Sequence, residues 1–273
     1  EAIFRKGIGP LLPGCEHVPP PNPADCPFEC GTECNLKCAN YIEYILEKEG
    51  DVAAVIGETM RSIPYVPPSD YWKTVREACD RHGALLVLDE IPTGLGRSGK
   101  MFVCEHYEVV PDMLVIGKGL GGGVFPLAAL LAREDLDIGG ETALGHYTHE
   151  KSPVGAAAAL ATLEVIEEEG LLDRAAELGA YLKNGLIDLQ RSHPCLGEVR
   201  GLGLFLGATL VQVDNPTQPD PRRAEAVMYE SLSRGLSFKT TMGNTLTLTP
   251  PLTVLESEID RALEILDASL AVT

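Results

Sequence analysis

Two residues of opposite chemistry stand at the ends of two short apolar runs. Asp89 follows Ala84–Leu88, and Lys118 follows Met113–Ile116 with one glycine between. Short apolar runs bounded by Gly, Pro and charge read as strands buried on both faces, as in a parallel sheet. In such sheets the chemistry gathers just beyond the carboxyl ends of the strands. The two runs therefore predict neighbouring strands that deliver one acid and one amine into one cleft.

That pair suits a pyridoxal phosphate enzyme. A lysine amine holds the aldehyde as a Schiff base, and a carboxylate opposite the pyridine nitrogen keeps it protonated. The ring then draws electrons from the substrate carbon, and the freed lysine can carry the proton. The surrounding words, LDEIPTGLGRSGKMF, EHY, PD and IGKGLGGG, resemble the class III (subgroup II) aminotransferases of fold type I, and the resemblance runs through almost the whole chain. It implies an α/β fold: a mostly parallel sheet in a large cofactor-binding domain, here residues 1–160, and a smaller α+β carboxyl-terminal domain, residues 161–273. It further implies Lys118 as the Schiff-base lysine and Asp89 as the ring partner. Glu58, at the end of the run Val52–Gly57, becomes a second acid beside the ring; read alone it is as readily a solvated acid at a strand end. The family usually has proline after that acid, whereas Thr59 follows here.

The elements that must position these residues are legible from pattern. Ile42, Ile45 and Leu46 at helical spacing predict a helix over Tyr41–Gly50, closed by Gly50. Ser69 is expected to cap a helix reaching His82, with Trp72, Val75 and Cys79 inward and Gly83 ending it. This helix joins the Glu58 and Asp89 strands into a β-α-β unit. Gly117–Gly122, GKGLGG, fits a dinucleotide fingerprint, but that motif opens a helix; here Val124–Ala132 follows and reads as a strand. A nicotinamide oxidoreductase is thus disfavoured, and the glycines read as room for backbone to pass close to a cofactor ring.

Gly145–Pro153 is a polar loop in which the family carries Ser/Thr-Phe-Gly-Gly-Asn-Pro. Thr148 matches the threonine that, in the family, reaches the partner subunit's phosphate group, which implies a homodimer. His149, Glu150 and Lys151 depart from the pattern: they either reshape substrate recognition, the favoured expectation, or form a surface loop. Ser152 as cap and Pro153 in the first turn start an alanine-rich helix to Glu169, expected as a packed spine between domains. Leu171–Arg191 continues as a helix with an apolar stripe. Val199–Gly207 resembles the opening of the small domain, with a strand over 204–213. Ala224–Arg234 is expected as a helix, Thr245–Thr249 as a half-exposed strand, and Thr253 with Glu256 as the capping box of the last helix.

Charge and composition narrow the partners. The 273 residues carry 40 acids against 22 bases, a net charge of -18. This argues against nucleic acid or an anionic membrane. The longest apolar stretch, Val124–Ala132, is too short to span a bilayer. Glu1–Gly9 lacks the apolar core of a signal peptide. The opening EAIFRKGIGPLLPGCEHVPPPNP resembles a segment well inside class III sequences, so the amino-terminal portion bearing the phosphate-binding turn is expected to be absent. Cys26, Cys30, Cys34 and Cys38, with three residues between each, lack the spacing usual for zinc. No metal is expected, and eight cysteines fit a reducing cytoplasm.

Two departures bear on chemistry. Pro92 stands where relatives place a glutamine that hydrogen-bonds the cofactor's phenolic oxygen. Thr247 stands where relatives binding an α-carboxylate place arginine, and threonine cannot make the paired, charged bonds that hold a carboxylate. The expected activity is a pyridoxal-phosphate-dependent aminotransferase exchanging an amino group between an amine or amino acid and an oxo acid. A lyase eliminating phosphate or ammonia from an aminoalkyl phosphate or phosphonate is the alternative on the same cofactor. A non-catalytic, oligomerising fragment is a third reading.

Overall fold

A computed structural model describes residues 6–22, 26–30, 34–142, 145, 147, 148 and 150–273. After an irregular opening, α1 (Lys37–Glu49) starts four residues before the expected Tyr41, because Cys38 and Ala39 extend the inward stripe of Ile42 and Leu46. Gly50 ends it in the left-handed conformation, as expected.

The first sheet runs β1 (Ala54–Glu58), β2 (Leu85–Asp89), β3 (Met113–Ile116) and β4 (Ala129–Ala132), in that spatial order. The first three strands are parallel and β4 returns antiparallel to β3. Helix α2 (Tyr71–His82) crosses between β1 and β2 and buries Trp72, Val75 and Cys79. Its N-cap is Asp70 rather than the expected Ser69, and no side chain caps it. Gly57 lies under the Trp72 ring, where an added Cβ would meet Cη2 at 3.0 Å. Leu86, Leu88, Leu114 and Ile116 fill the core behind the sheet. Each such buried aliphatic contributes about 1.5–3 kcal/mol.

The strands were expected to be buried on both faces, and only one face is. Leu86, Leu88, Leu114 and Ile116 are buried, whereas Leu85, Val87, Met113 and Val115 on the other face are half-exposed. On that same face Ile56 is 70% exposed. Helix α2 packs on the inward face and α1 packs on α2, while no described helix of this chain is laid over the other face.

Ser152 caps α3 (Pro153–Glu168) through Gly155 N–H at 3.4 Å, as expected. The helix is not the packed spine its composition suggested. Only Gly155 and Ile166 are buried, Gly155 against the Phe125 ring. Alanines have little side chain to bury, so most of the helix stays exposed. Helix α4 (Leu171–Ser192) does bury its stripe, from Leu171 through Leu182 and Leu186.

The second sheet is antiparallel throughout and contains β5 (Leu196–Leu202), β6 (Phe205–Leu210), β7 (Lys239–Thr241) and β8 (Thr245–Leu248). Its order is β5-β6-β8-β7. Strand β8 is thus an inner strand, and all its residues are buried instead of half-exposed. Thr247 meets Thr241 Oγ1 at 2.7 Å, which explains how a polar residue sits there. Helix α5 (Pro221–Ser233) begins before the expected Ala224, because Asp220 accepts from Arg223 N–H and Pro221 takes the first turn. In α6 (Glu256–Val272) the cap forms two residues later than expected: Glu258 accepts from Leu255 N–H at 2.8 Å. Helices α4, α5 and α6 pack on this sheet around Leu206, Leu210 and Leu246.

The loop Gly94–Gly99 ties the two sheets together. Arg97 O accepts from Leu204 N–H at 3.0 Å, and its guanidinium donates to Pro250 O. Gly203 turns from β5 into β6 at φ 52, with an added Cβ only 2.5 Å from the Ser98 backbone. Gly179 of α4 lies against Gly203 from the other side, where a Cβ would fall 2.2 Å from its carbonyl carbon. Glycines at these points let three backbone segments meet.

Candidate active site

Two residues past β3, the chain is held in an unfavourable conformation. Gly117 is extended and Lys118 follows at φ 45, a left-handed geometry rare for residues with a Cβ. Such strain persists only where surrounding structure imposes it, and it clusters at functional sites. Here Leu120, buried in the first core, anchors the short turn Lys118–Gly121, and Leu120 N–H donates to Gly117 O at 3.1 Å. A short turn and an antiparallel strand follow, so the glycine run does not open the helix a dinucleotide site requires.

Lys118 lines a cavity of about 940 Å³ together with Ser62, Pro92, Arg97 and Thr162. Gly119 and Gly121–Gly123 form one wall without side chains. At Gly122 an added Cβ would approach Thr162 Oγ1 to 2.9 Å. Among the described residues no acid pairs with the Lys118 amine.

Asp89 ends β2, half-buried, and its Oδ1 accepts from Ile91 N–H at 3.0 Å. In register it lies beside Glu58 of β1 and Val115 of β3, so Glu58 and Asp89 project from the same face. Glu58 is engaged by Ser62 N–H at 2.8 Å. The strand ends thus bring Glu58, Asp89 and the Lys118 turn side by side. Asp89 and Glu58 are not among the residues lining the cavity that holds Lys118. Thr148 lies in an exposed turn away from that lining, and His149 is outside the described residues.

Pattern did not reveal the buried acid next to Asp89. Glu90 is 1% exposed and accepts from Val103 N–H at 2.6 Å, Cys104 N–H at 2.8 Å and Thr59 Oγ1 at 2.9 Å. Burial pushes its carboxyl upward against these donors. The departure at Thr59 therefore has a local purpose, since proline there could donate nothing to Glu90. Arg97 and Ser62 were also missed as cavity residues. Arg97 lay within the motif but carried no spacing signal of its own, because its place in the cavity depends on β8 and its following prolines.

The residues present fit pyridoxal phosphate. The cavity has the volume of a cofactor site. It offers an unpaired amine on a rigid turn and a glycine wall open to close approach by a planar ring. A parallel sheet ending in acid and lysine, joined to a smaller antiparallel unit, is the architecture of the fold type I pyridoxal-phosphate-dependent transferases.

The chain belongs to the class-III aminotransferases: residues 1–270 match the family described as Aminotransferase class-III. It is 41% identical to the (R)-1-hydroxy-2-aminoethylphosphonate ammonia-lyase of Vibrio splendidus, over 99% of this chain and 60% of that protein. It is 38% identical to the ornithine aminotransferase of an Exiguobacterium species, over 99% of this chain and 61% of that one. An amine transaminase from an uncultivated Pseudomonas species, solved with pyridoxal phosphate bound, superposes with a TM-score of 0.89 at 32% identity, covering 99% of this chain and 64% of that one. The chain spans about 60% of the length of the curated relatives it matches.

Proposed function

We propose that this chain carries the lysine and the ring-facing acid of a pyridoxal-phosphate-dependent aminotransferase that moves an amino group between an amine or amino acid and an oxo acid. The observation that carries the reading is Lys118, unpaired and held at φ 45 at the wall of the cavity beyond β3. Bound there, the cofactor supplies an electron-poor ring that makes the substrate's Cα–H acidic. Lys118 Nζ would hold the cofactor by its aldehyde group and would take and return the substrate's Cα proton. Asp89, on the adjacent strand end, keeps the pyridine nitrogen protonated, with Ile91 N–H fixing one of its oxygens. Glu58 lies beside it, and Thr148 reaches the phosphate group across a homodimer. Residues 1–160 act as part of the large domain and 161–273 as the small one, in a cytoplasmic protein; two separate cores around the two sheets support that division.

A second reading is favoured by one specific observation. Thr247, where relatives binding a carboxylate carry arginine, is 1% exposed and spends its hydroxyl on Thr241. Together with the likeness to the Vibrio lyase, this supports elimination from an aminophosphonate as the competing activity on the same cofactor.

The test is a visible absorbance spectrum with added pyridoxal phosphate, beside Lys118→Ala, followed by amino-donor and aminophosphonate trials. A band that borohydride abolishes and the variant lacks supports the site. Keto product with a matching amino product supports transfer, and free ammonia supports elimination. Absence of the band in both proteins would overturn the cofactor assignment for this chain.

A further inference from the structure

The cysteine loop ahead of α1 is separate from the Lys118 cavity. Cys26, Cys30, Cys34 and Cys38 all line one small cavity of about 20 Å³, closed by Pro68. Glu29, at φ 53, folds the chain back so that its N–H donates to Cys26 O at 3.0 Å. A left-handed residue with a Cβ is a strained choice for a plain surface loop. The tight turn between Cys26 and Glu29 brings Cys26 and Cys30 to the same small cavity. The Cys30 thiol in turn donates to Asn35 Oδ1 at 3.2 Å.

We propose that Cys26 and Cys30 form a reversible thiol–disulfide pair, with Cys26 as the attacking sulfur and Cys30 as the resolving one. The four thiols differ in chemistry. Donors from Cys30 and Phe28 lower the Cys26 thiol's pKa, which raises its thiolate fraction. Cys38 is buried in α1, where burial raises its pKa and makes it inert. Among the described residues no three Cys, His, Asp or Glu side chains stand together as a metal would need. The thiols thus share a cavity without forming a ligand set.

The oxidant is a low-molecular-weight disulfide. Cys26 thiolate attacks one of its sulfurs, forming a mixed disulfide and expelling one thiol. Cys30, having lost its proton to solvent, attacks the Cys26 sulfur and expels the second thiol. Two cysteine thiols are oxidised and one disulfide is reduced to two thiols. The proposal is independent of the Lys118 reading.

The test uses the whole chain in oxidised and reduced glutathione buffers, quenched with acid, alkylated and mapped by fragmentation mass spectrometry. The expected product is a Cys26–Cys30 link that dithiothreitol reverses. Cys30→Ser should stop at glutathione on Cys26, and Cys26→Ser should slow modification of the loop by about tenfold or more. Cys38→Ser should leave the link unchanged. A link through Cys34 or Cys38, equal labelling of Cys26 and the exposed Cys15, or no reaction would each overturn the proposal. So would purified protein that holds one zinc per chain and shields all four thiols.

Discussion

Thr59 Oγ1 donates to Glu90 Oε1 at 2.9 Å, and both side chains are fully buried. One residue follows the acid that ends β1, and the other follows the acid that ends β2. The contact therefore locks the two strand ends that present Glu58 and Asp89. Glu90 carries the lock further, to the turn at Val103 and Cys104.

Removing that hydroxyl leaves a buried carboxylate one donor short. Thr59→Val, nearly equal in shape, should lower unfolding free energy by about 1–3 kcal/mol. Urea titration should show a lower midpoint with an unchanged slope. No shift of the midpoint would show that water or another donor replaces the hydroxyl.

Asp112 fixes the start of β3. It is 4% exposed, accepts from Leu86 N–H at 2.7 Å, and pairs with Arg76 at 2.7 Å and Arg133 at 2.5 Å. Burial opposes its ionisation, but Leu86 N–H and the two guanidinium groups outweigh it and hold the carboxyl below its ordinary value. Asp112→Asn should cost about 3 kcal/mol at neutral pH, because it leaves Arg76 largely buried with a weaker partner.

The same pair gives a pH signature. A carboxyl whose folded pKa is depressed contributes stability above its unfolded value, here 3.8, and loses it as pH falls through the folded value. The gap between wild type and Asp112→Asn should be full near neutrality and shrink once the pH drops below about 4. Thermal unfolding across an acid series measures it. A gap constant down to strong acid would rule out ionisation as its source.

Gly203 has no room for a side chain. Its φ of 52 and the 2.5 Å approach to the Ser98 backbone mean that Gly203→Ala combines strain with a clash. The substitution should destabilise by at least about 1–3 kcal/mol. Gly123→Ala is the control, since its φ is also positive but nothing lies within 4 Å; it should cost strain alone and leave the smaller shift in melting temperature.

Asp89→Asn tests the ring partner. The variant should keep the borohydride-sensitive band while proton removal from the substrate slows by about 100-fold or more. Unchanged turnover would move the role from Asp89 to another acid, with Glu58 next in register.

The placement of the candidate site's acid and amine was legible in sequence, and the reason is local. Asp89 and Lys118 each end an apolar run, so strand pattern alone placed them beyond neighbouring strand ends. Gly50, Gly83 and Ser152 act within one helical turn of themselves: the two glycines end their helices and Ser152 starts its own, as pattern predicted. Family resemblance added roles for Glu58 and Thr148 that no local pattern contains.

What only the tertiary structure decided depends on residues far apart in the chain. Thr247 is buried because β8 is flanked by β6 and β7, a strand order that alternation within Thr245–Thr249 cannot encode. The exposed outer face of the first sheet depends on which helices lie over it, and a continuous apolar run looks the same whether one face or both are covered. Thr59 reads as a departure from pattern until folding brings it to Glu90, 31 residues on. Gly203 reads as one glycine among many until the Arg97 loop and α4 close on it from opposite sides. Sequence fixes what each segment prefers, while burial and close approach arise between segments and appear only when the chain is folded.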